Sequence, residues 1–406
     1  MNKEEVKKYA QLLIERAINI KKGEKLKISA PHEALDMVRE MVNHAYICGA
    51  VDVKCIFLDS ELADARFLYG NEEALTFIGD YDARYEEELV DNKYHRISLV
   101  AFSEPNKNVS TEKVSNFIKI KNKAYKSIHE KIMRDEVKWV VAPYVTKDWA
   151  TKMYPDNNIE EAKEMLFNDF MKIMRIDNEN VLEAWKKHDD QLKYRLKKLN
   201  EYKFDKICFS DGETELEIGL ALDARWAGGN STYKDGNEFM PNVPTEEVFT
   251  MPHKMRVNGH AKIRKPFVLY DKVVTGLELD FKDGEIISFK SDCHEDLIKK
   301  FLETDEGSKR LGEVALVDKT SPINQFDKPF FETLIDENAA CHIAIGAAYD
   351  ENTTSKLPKE EIGWNESMVH EDIMIGSDNM KVIGITADGN KVSIMENGSF
   401  VDEFTI

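Results

Sequence analysis

Residues 336–352, DENAACHIAIGAAYDEN, set a carboxylate (Glu337), an imidazole (His342) and a phenol (Tyr349) in a run that is otherwise small and apolar. Small residues let backbones approach closely, so polar groups among them are aimed inward. Neutral imidazole with carboxylate is the usual ligand set for zinc and similar divalent ions. Read as a strand, this run puts His342 and Tyr349 on opposite sides; read as a helix, their separation puts them on one face. Its alanines favour the helix and its position among strands favours the strand. For a lone histidine, an imidazole bonded to a backbone carbonyl in the core is the commoner case.

Three further segments carry groups of the same chemistry. In residues 244–250, PTEEVFT, successive strand side chains face opposite ways, so Glu246 and Glu247 cannot both enter one site. Taken alone, the pair reads as surface charge. In residues 311–317, LGEVALV, the single acid Glu313 stands among residues suited to a buried strand. Buried there, its carboxylate needs a cation or a hydrogen-bond donor; at a sheet edge it simply faces water. In residues 369–376, VHEDIMIG, a strand puts His370 and Asp372 on one face, as two ligands of one ion require, although so short a triplet is a weak signal. Together the segments offer up to four carboxylates and two imidazoles. That is close to the complement of a two-metal centre, whose ions lie about 3.5–4 Å apart around a shared carboxylate and water.

The elements that must position these groups follow from hydrophobic periodicity. Asn2 with Glu5 resembles a capping pair, and Val6, Tyr9, Leu13 and Ala17 recur at helical spacing until Gly23. Strands at 25–29, 51–58, 96–102 and 137–142 then alternate with helical stretches at 32–48, 60–90 and 111–134, which predicts a mostly parallel sheet. The first strand leads into Ala30-Pro31-His32-Glu33 rather than a glycine-rich phosphate loop. Residues 158–200 read as helical. In this first half, residues such as Arg84, Tyr85 and the 86–88 glutamates read as a solvated face.

Beyond about residue 200 short strands dominate: 204–209, 213–221, 246–251, 261–268, 277–281, 285–290, 313–317, 381–386 and 391–395. Turns such as Asp211-Gly212 and Asp283-Gly284 separate many of them. The expectation is an α/β domain over 1–200 and a mostly antiparallel, β-rich domain over 201–406 that carries the metal site. At 406 residues the chain exceeds the size at which one core stops growing.

Composition narrows the partners. With 56 Lys+Arg against 75 Asp+Glu, the net charge of −19 repels nucleic-acid backbones and anionic membrane surfaces. No stretch of about 18 apolar residues occurs. The five cysteines are odd in number and lack CxxC spacing, which suits a reducing, cytoplasmic compartment.

Taken in order, PTEEVFT (244–250), TDEGSKRLGEVAL (304–316), DENAACHIAIGAAY (336–349) and VHEDIMIGS (369–377) resemble the defining segments of the M29, or thermophilic aminopeptidase, family. Arg225-Trp226-Ala227-Gly228-Gly229 and the GEKLKI run at 23–28 fit it as well. The resemblance implies a cytosolic, homodimeric exopeptidase that takes peptides with a free N-terminus and uses two divalent ions (zinc, cobalt or magnesium). By motif, Glu247, Glu313, Glu337, His342, His370 and Asp372 would be the metal ligands, with Glu313 bridging. Tyr349 would be the catalytic phenol beside Glu313, and Glu246 or Glu337 the base. The chain departs from the family pattern at Ile373, where an aromatic is frequent, and at Glu371, which replaces a more apolar residue. The rival readings are a two-metal phosphoesterase, disfavoured by the scarcity of Arg and Lys near the ligand segments, and a non-catalytic peptide-binding protein.

Overall fold

The structure is a computed structural model that describes residues 2–104, 106–270 and 272–406. Two compact units divide the chain: Met1–Trp185 with Asn230–Val243, and Lys186–Gly229 with Pro244–Ile406.

The first unit holds a four-stranded parallel sheet made of β1 (Lys25–Pro31), β2 (Asp52–Leu58), β3 (Tyr94–Val100) and β4 (Trp139–Pro143), in the order β2-β1-β3-β4. Parallel neighbours need crossovers, and the helices Leu35–Ile47, Ser60–Tyr69, Asp80–Asp91 and Thr111–Met133 supply them. The first helix, Lys3–Gln11, opens on a capping box: the Asn2 side chain accepts from the Glu4 and Glu5 N–H groups, and the Glu5 carboxylate accepts from the Asn2 N–H. Leu26, Ile28, Ile97, Leu99, Val140 and Ala142 alternate into the buried core. The solvated face expected around Arg84 fails at Glu86. Its carboxylate pairs with Lys27 and Arg96 instead, because those two cations project from β1 and β3 onto its helix.

The second unit is built from antiparallel pairs. Its strands are β5 (Phe204–Ser210), β6 (Glu215–Leu220), β7 (Glu247–Thr250), β8 (Pro252–Lys262), β9 (Glu278–Lys282), β10 (Glu285–Lys290), β11 (Leu311–Val317), β12 (His342–Gly346), β13 (His370–Met374), β14 (Lys381–Thr386), β15 (Lys391–Glu396) and β16 (Ser399–Phe400). Eight form one sheet in the order β10-β9-β8-β6-β5-β14-β15-β16, and four form a second in the order β13-β12-β11-β7. Asp283 and Gly284 both take positive φ (49° and 83°), the conformation that a two-residue turn between right-twisted strands demands. β8 starts earlier than the sequence pattern suggests, because a register shift between Pro252 and Val257 interrupts the two-residue period.

The small sheet has two unlike faces. Val248, Val314, Leu316, Ile343, Ile345 and Ile373 join Ile207, Phe209, Ile218 and Val257 of the large sheet in one buried cluster. Burial of each such side chain contributes roughly 1.5–3 kcal/mol. Because the side-chain period of a strand is two, that apolar face fixes which residues occupy the other one. The fold is therefore a parallel α/β portion followed by a mostly antiparallel one, as the sequence pattern predicts. No helix among the described residues is long and apolar enough to cross a membrane.

Candidate metal centre

Strand register brings the distant acids and imidazoles together. In the small sheet Glu247 lies opposite Val317, Ala315 opposite His342, Glu313 and Asp372 opposite Ala344, and His370 opposite Gly346. Directly opposed residues share a face, so Glu247, Glu313, His342, His370 and Asp372 all project from the side away from the apolar cluster. Ala315, Ala344 and Gly346 lie among them on that face and leave room for the larger side chains. Gly346 also has φ of 113°, and a Cβ there would sit 2.0 Å from the Val369 carbonyl oxygen. Any other residue would push β13, and with it His370, away from β12.

His342 Nε2 lies 3.1 Å from Glu247 Oε2, 3.6 Å from Glu313 Oε1 and 3.9 Å from Asp372 Oδ1. His370 Nε2 lies 3.4 Å from Asp372 Oδ1 and 3.9 Å from Glu313 Oε2. The two oxygens of Glu313 thus face the two imidazoles. Each ring is held from behind: His342 Nδ1 is 3.2 Å from the Ala340 carbonyl oxygen and His370 Nδ1 is 2.7 Å from that of Ala347. A carbonyl oxygen only accepts, so Nδ1 carries a proton, and Nε2 is the atom that faces the carboxylates.

Glu337 enters from outside the sheet, on the short turn Glu337–Ala339. Its carboxylate is buried and feels Glu247, Asp372 and Glu313. The neighbouring Asn338, fully buried, fixes that turn: its amide donates to the Leu334 carbonyl (3.0 Å) and to Glu337 Oε1 (3.3 Å), and its oxygen accepts from the Glu246 N–H (2.6 Å). Asn365 performs a similar task, donating to the Gly307 and Gly346 carbonyls at 2.9 and 2.6 Å. Sequence reasoning missed both amides. A buried asparagine in a loop has no spacing signature, and only its polarity amid apolar neighbours hints at it.

The remaining candidates separate clearly. Glu246 points away from the cluster and lies 3.6 Å from His188 Nε2. Tyr349 is outside β12, which ends at Gly346, yet the chain turns back so that its ring centroid sits 4.6 Å from that of His370. The strand reading of this segment therefore holds, and the turn rather than a helix returns Tyr349 to the imidazole. Tyr349 is 40% exposed, and its phenol pKa is raised by desolvation and then by the Glu313 and Asp372 carboxylates.

The electrostatics describe a cluster short of positive charge. Burial, reinforced by Glu247 and Asp372 and opposed by His342, pushes the Glu313 carboxyl up to about 7. Burial and the same two acids push Glu337 well above the carboxylate range. Burial pulls the imidazoles down, but the facing carboxylates prevail: Glu247 and Glu313 hold His342 well above its ordinary value, and Asp372 with Glu313 holds His370 at about 9. Burial raises Asp372 less than the two imidazoles lower it. Protons here do what a cation would do, since no Lys or Arg among the described residues pairs with these acids. Glu247 Oε2 and His342 Nε2 are buried 3.1 Å apart without forming a hydrogen bond, a costly arrangement that a shared divalent ion relieves. The donor atoms of Glu247, Glu313 and His342 lie within 4.8 Å of one another. The donor set fits a divalent metal.

Comparison with known proteins agrees with this chemistry. The profile of the thermophilic metalloprotease (M29) family matches residues 2–400. Aminopeptidase AmpS of Bacillus subtilis (strain 168) is 38% identical over 399 residues, 97% of either chain. Aminopeptidase T of Thermus thermophilus is 36% identical over 404 residues, covering 98% of this chain and 99% of that one. The solved structure of wild-type AmpT from Thermus thermophilus superposes with a TM-score of 0.91 at 35% identity, over 99% of this chain and all of the other. The chain belongs to the thermophilic metalloprotease (M29) family and is a metallopeptidase.

Proposed function

We propose that this protein is an aminopeptidase that removes residues from the free N-terminus of peptides, with two divalent ions (zinc, cobalt or magnesium) held by Glu247, Glu313, Glu337, His342, His370 and Asp372. The observation that carries this reading is Glu313, whose two oxygens face two different imidazoles within one buried set of acids that has no cation of its own. Bound there, paired divalent ions supply an acidified water and polarise a carbonyl, the two requirements of peptide hydrolysis at neutral pH.

The chain's own groups do the rest. Backbone carbonyls of Ala340 and Ala347 keep both imidazoles in the tautomer that presents Nε2. Glu337, outside the sheet and steadied by Asn338, would use the oxygen it does not lend to an ion to accept the proton released when water attacks, and would pass that proton to the leaving amine. Tyr349, whose raised pKa keeps the phenol protonated, donates a hydrogen bond to the oxyanion that develops on the scissile carbonyl. The catalytic groups of this proposal would thus be Tyr349 and Glu313, with Glu337 as base.

A cytoplasmic homodimer completes the proposal. Five unpaired cysteines support the reducing compartment, and the family resemblance supports the dimer. The test is hydrolysis of aminoacyl anilides by metal-loaded protein, abolished by chelator and restored by cobalt or zinc. Turnover of phosphate esters alone, or purification without stoichiometric metal and indifference to chelator, would overturn it.

A further inference from the structure

A cavity of about 110 Å³ opens beside the candidate metal centre, and two proposed ligands, Glu337 and Asp372, form part of its wall. Phe267, Phe331 and Met374 supply apolar walls, and no Lys or Arg lines it. Of the five acids around it, four have other tasks. Glu337 and Asp372 face the metal centre, Asp336 accepts from the Phe330 and Glu332 N–H groups, and Glu332 accepts from the Leu334 N–H. Glu371 is different. Its backbone pairs with Ile345 in the sheet, and its half-buried carboxylate has no hydrogen bond or ion pair among the described residues. Glu371 lines a partly dry cavity without a partner, and the charged form of its carboxyl is unfavourable there unless a ligand brings a cation.

We propose that this cavity receives the side chain of the substrate's first residue, and that Glu371 makes it select a basic side chain, lysine above all. The inference rests on the aminopeptidase reading and deepens it. If the scissile bond lies at the metal centre, the first residue's side chain starts beside Glu337 and Asp372 and enters the space those residues border. At roughly 30 Å³ per water-sized group, the cavity takes about four such groups. That matches the flexible four-carbon stem of lysine, lying on Phe267, Phe331 and Met374, with the compact ammonium beyond it meeting Glu371 at the rim. An indole exceeds the space.

The experiment compares kcat/KM for lysyl, methionyl and leucyl p-nitroanilides with the metal-loaded enzyme and with Glu371→Gln and Thr333→Lys. Thr333 is an exposed residue on the cavity wall, where a new ammonium would oppose a basic side chain without disturbing the core. A charge-assisted contact of this kind predicts a lysyl-to-methionyl ratio of about 10 or more in the parent enzyme. The ratio should fall about tenfold in each variant, mostly through KM, with metal content retained. An unchanged ratio in both variants overturns the proposal. Equal loss on all three substrates also overturns it, since Glu371 would then serve the peptide's α-ammonium or the metal centre rather than the side chain. Failure of the parent enzyme on every aminoacyl anilide strikes instead at the aminopeptidase reading. In that event, lysinamide binding by the metal-loaded protein, weakened by Glu371→Gln, would still report on the cavity.

Discussion

Two buried clusters of glutamate and histidine, one in each unit, solve the same electrostatic problem in opposite ways. In the first unit Glu24 accepts from Lys138 Nζ at 2.7 Å and from the Lys21 N–H at 2.7 Å, and lies 3.2 Å from His95 Nε2. His95 Nδ1 in turn accepts from the Lys138 N–H at 3.0 Å, and Lys138 also donates to the Asn19 carbonyl. That cluster contains its own cation and every polar atom has a partner. In the second unit, Glu247, Glu313, Glu337 and Asp372 face His342 and His370 with no ammonium or guanidinium among the described residues, and Glu247 Oε2 and His342 Nε2 lie buried 3.1 Å apart without a hydrogen bond. What differs is the source of positive charge: a lysine in one unit and, in the proposed function, an ion from solution in the other.

The largest effect should come from removing the acid that joins the two imidazoles. Glu313→Gln keeps the shape and loses the charge, so metal content should fall and anilide turnover should drop by about a thousandfold or more, the scale of several kcal/mol of lost charge stabilisation. Elemental analysis beside activity checks it. Full activity with full metal would erase the contrast between the clusters. Tyr349→Phe should behave differently: metal retained, KM little changed, and kcat lowered about 100- to 1000-fold, the scale of one lost oxyanion donor. The ring contact with His370 survives that substitution, so a loss of kcat would report the hydroxyl.

The self-contained cluster makes a prediction about stability instead. Burial raises Glu24, but hydrogen bonds from His95 and Lys138 outweigh it and lower the carboxyl to about 2. A carboxyl depressed in the folded state stabilises above its ordinary range near 4.5 and loses that contribution as pH falls toward 2. Glu24→Gln should therefore lower stability at pH 7 by about 2 kcal/mol, below the cost of breaking a fully buried pair because water reaches Glu24 in part. The difference from the parent should vanish between about pH 4.5 and pH 2. Urea melts across that window test it, and metal content should stay at the parent level.

How much of this was legible in the letters depends on the range of the forces involved. Glu313 and the pair His370 and Asp372 could be read because strand alternation is local: an apolar neighbour such as Val314 or Ile373 puts the acid beside it on the opposite face, and the two-residue spacing puts His370 with Asp372. The stretch containing His342 was ambiguous, because its alanines and glycine suit either helix or strand. The chain settles the matter at Gly346, where a left-handed φ ends the strand and turns Tyr349 back. Which strands become neighbours was not legible at all, since β11 chooses β7 and β12 through a shared apolar face. Glu86 and the buried amide of Asn365 were missed for the same reason, since their partners are distant in sequence, and Asn338 because a loop asparagine has no spacing signature.

The smallest expected effect falls on the residue beside a proposed ligand. Glu246 and Glu247 are chemically identical neighbours, and the sequence pattern cannot choose between them. The fold separates them, because Glu247 begins β7 opposite Val317 while Glu246, one residue earlier, turns toward His188. Its backbone N–H, rather than its carboxylate, is tied to the metal side of the molecule through Asn338. Glu246→Gln leaves that N–H in place, so metal content and kcat should stay within about twofold of the parent. Glu247→Gln should cost metal affinity about 10- to 100-fold or more, at least the range seen when a group supporting a ligand is lost. Measured by chelator competition, equal losses in the two variants would mean that adjacent side chains on a strand do not decide access to the ions, and the register argument for the whole site would fail with them.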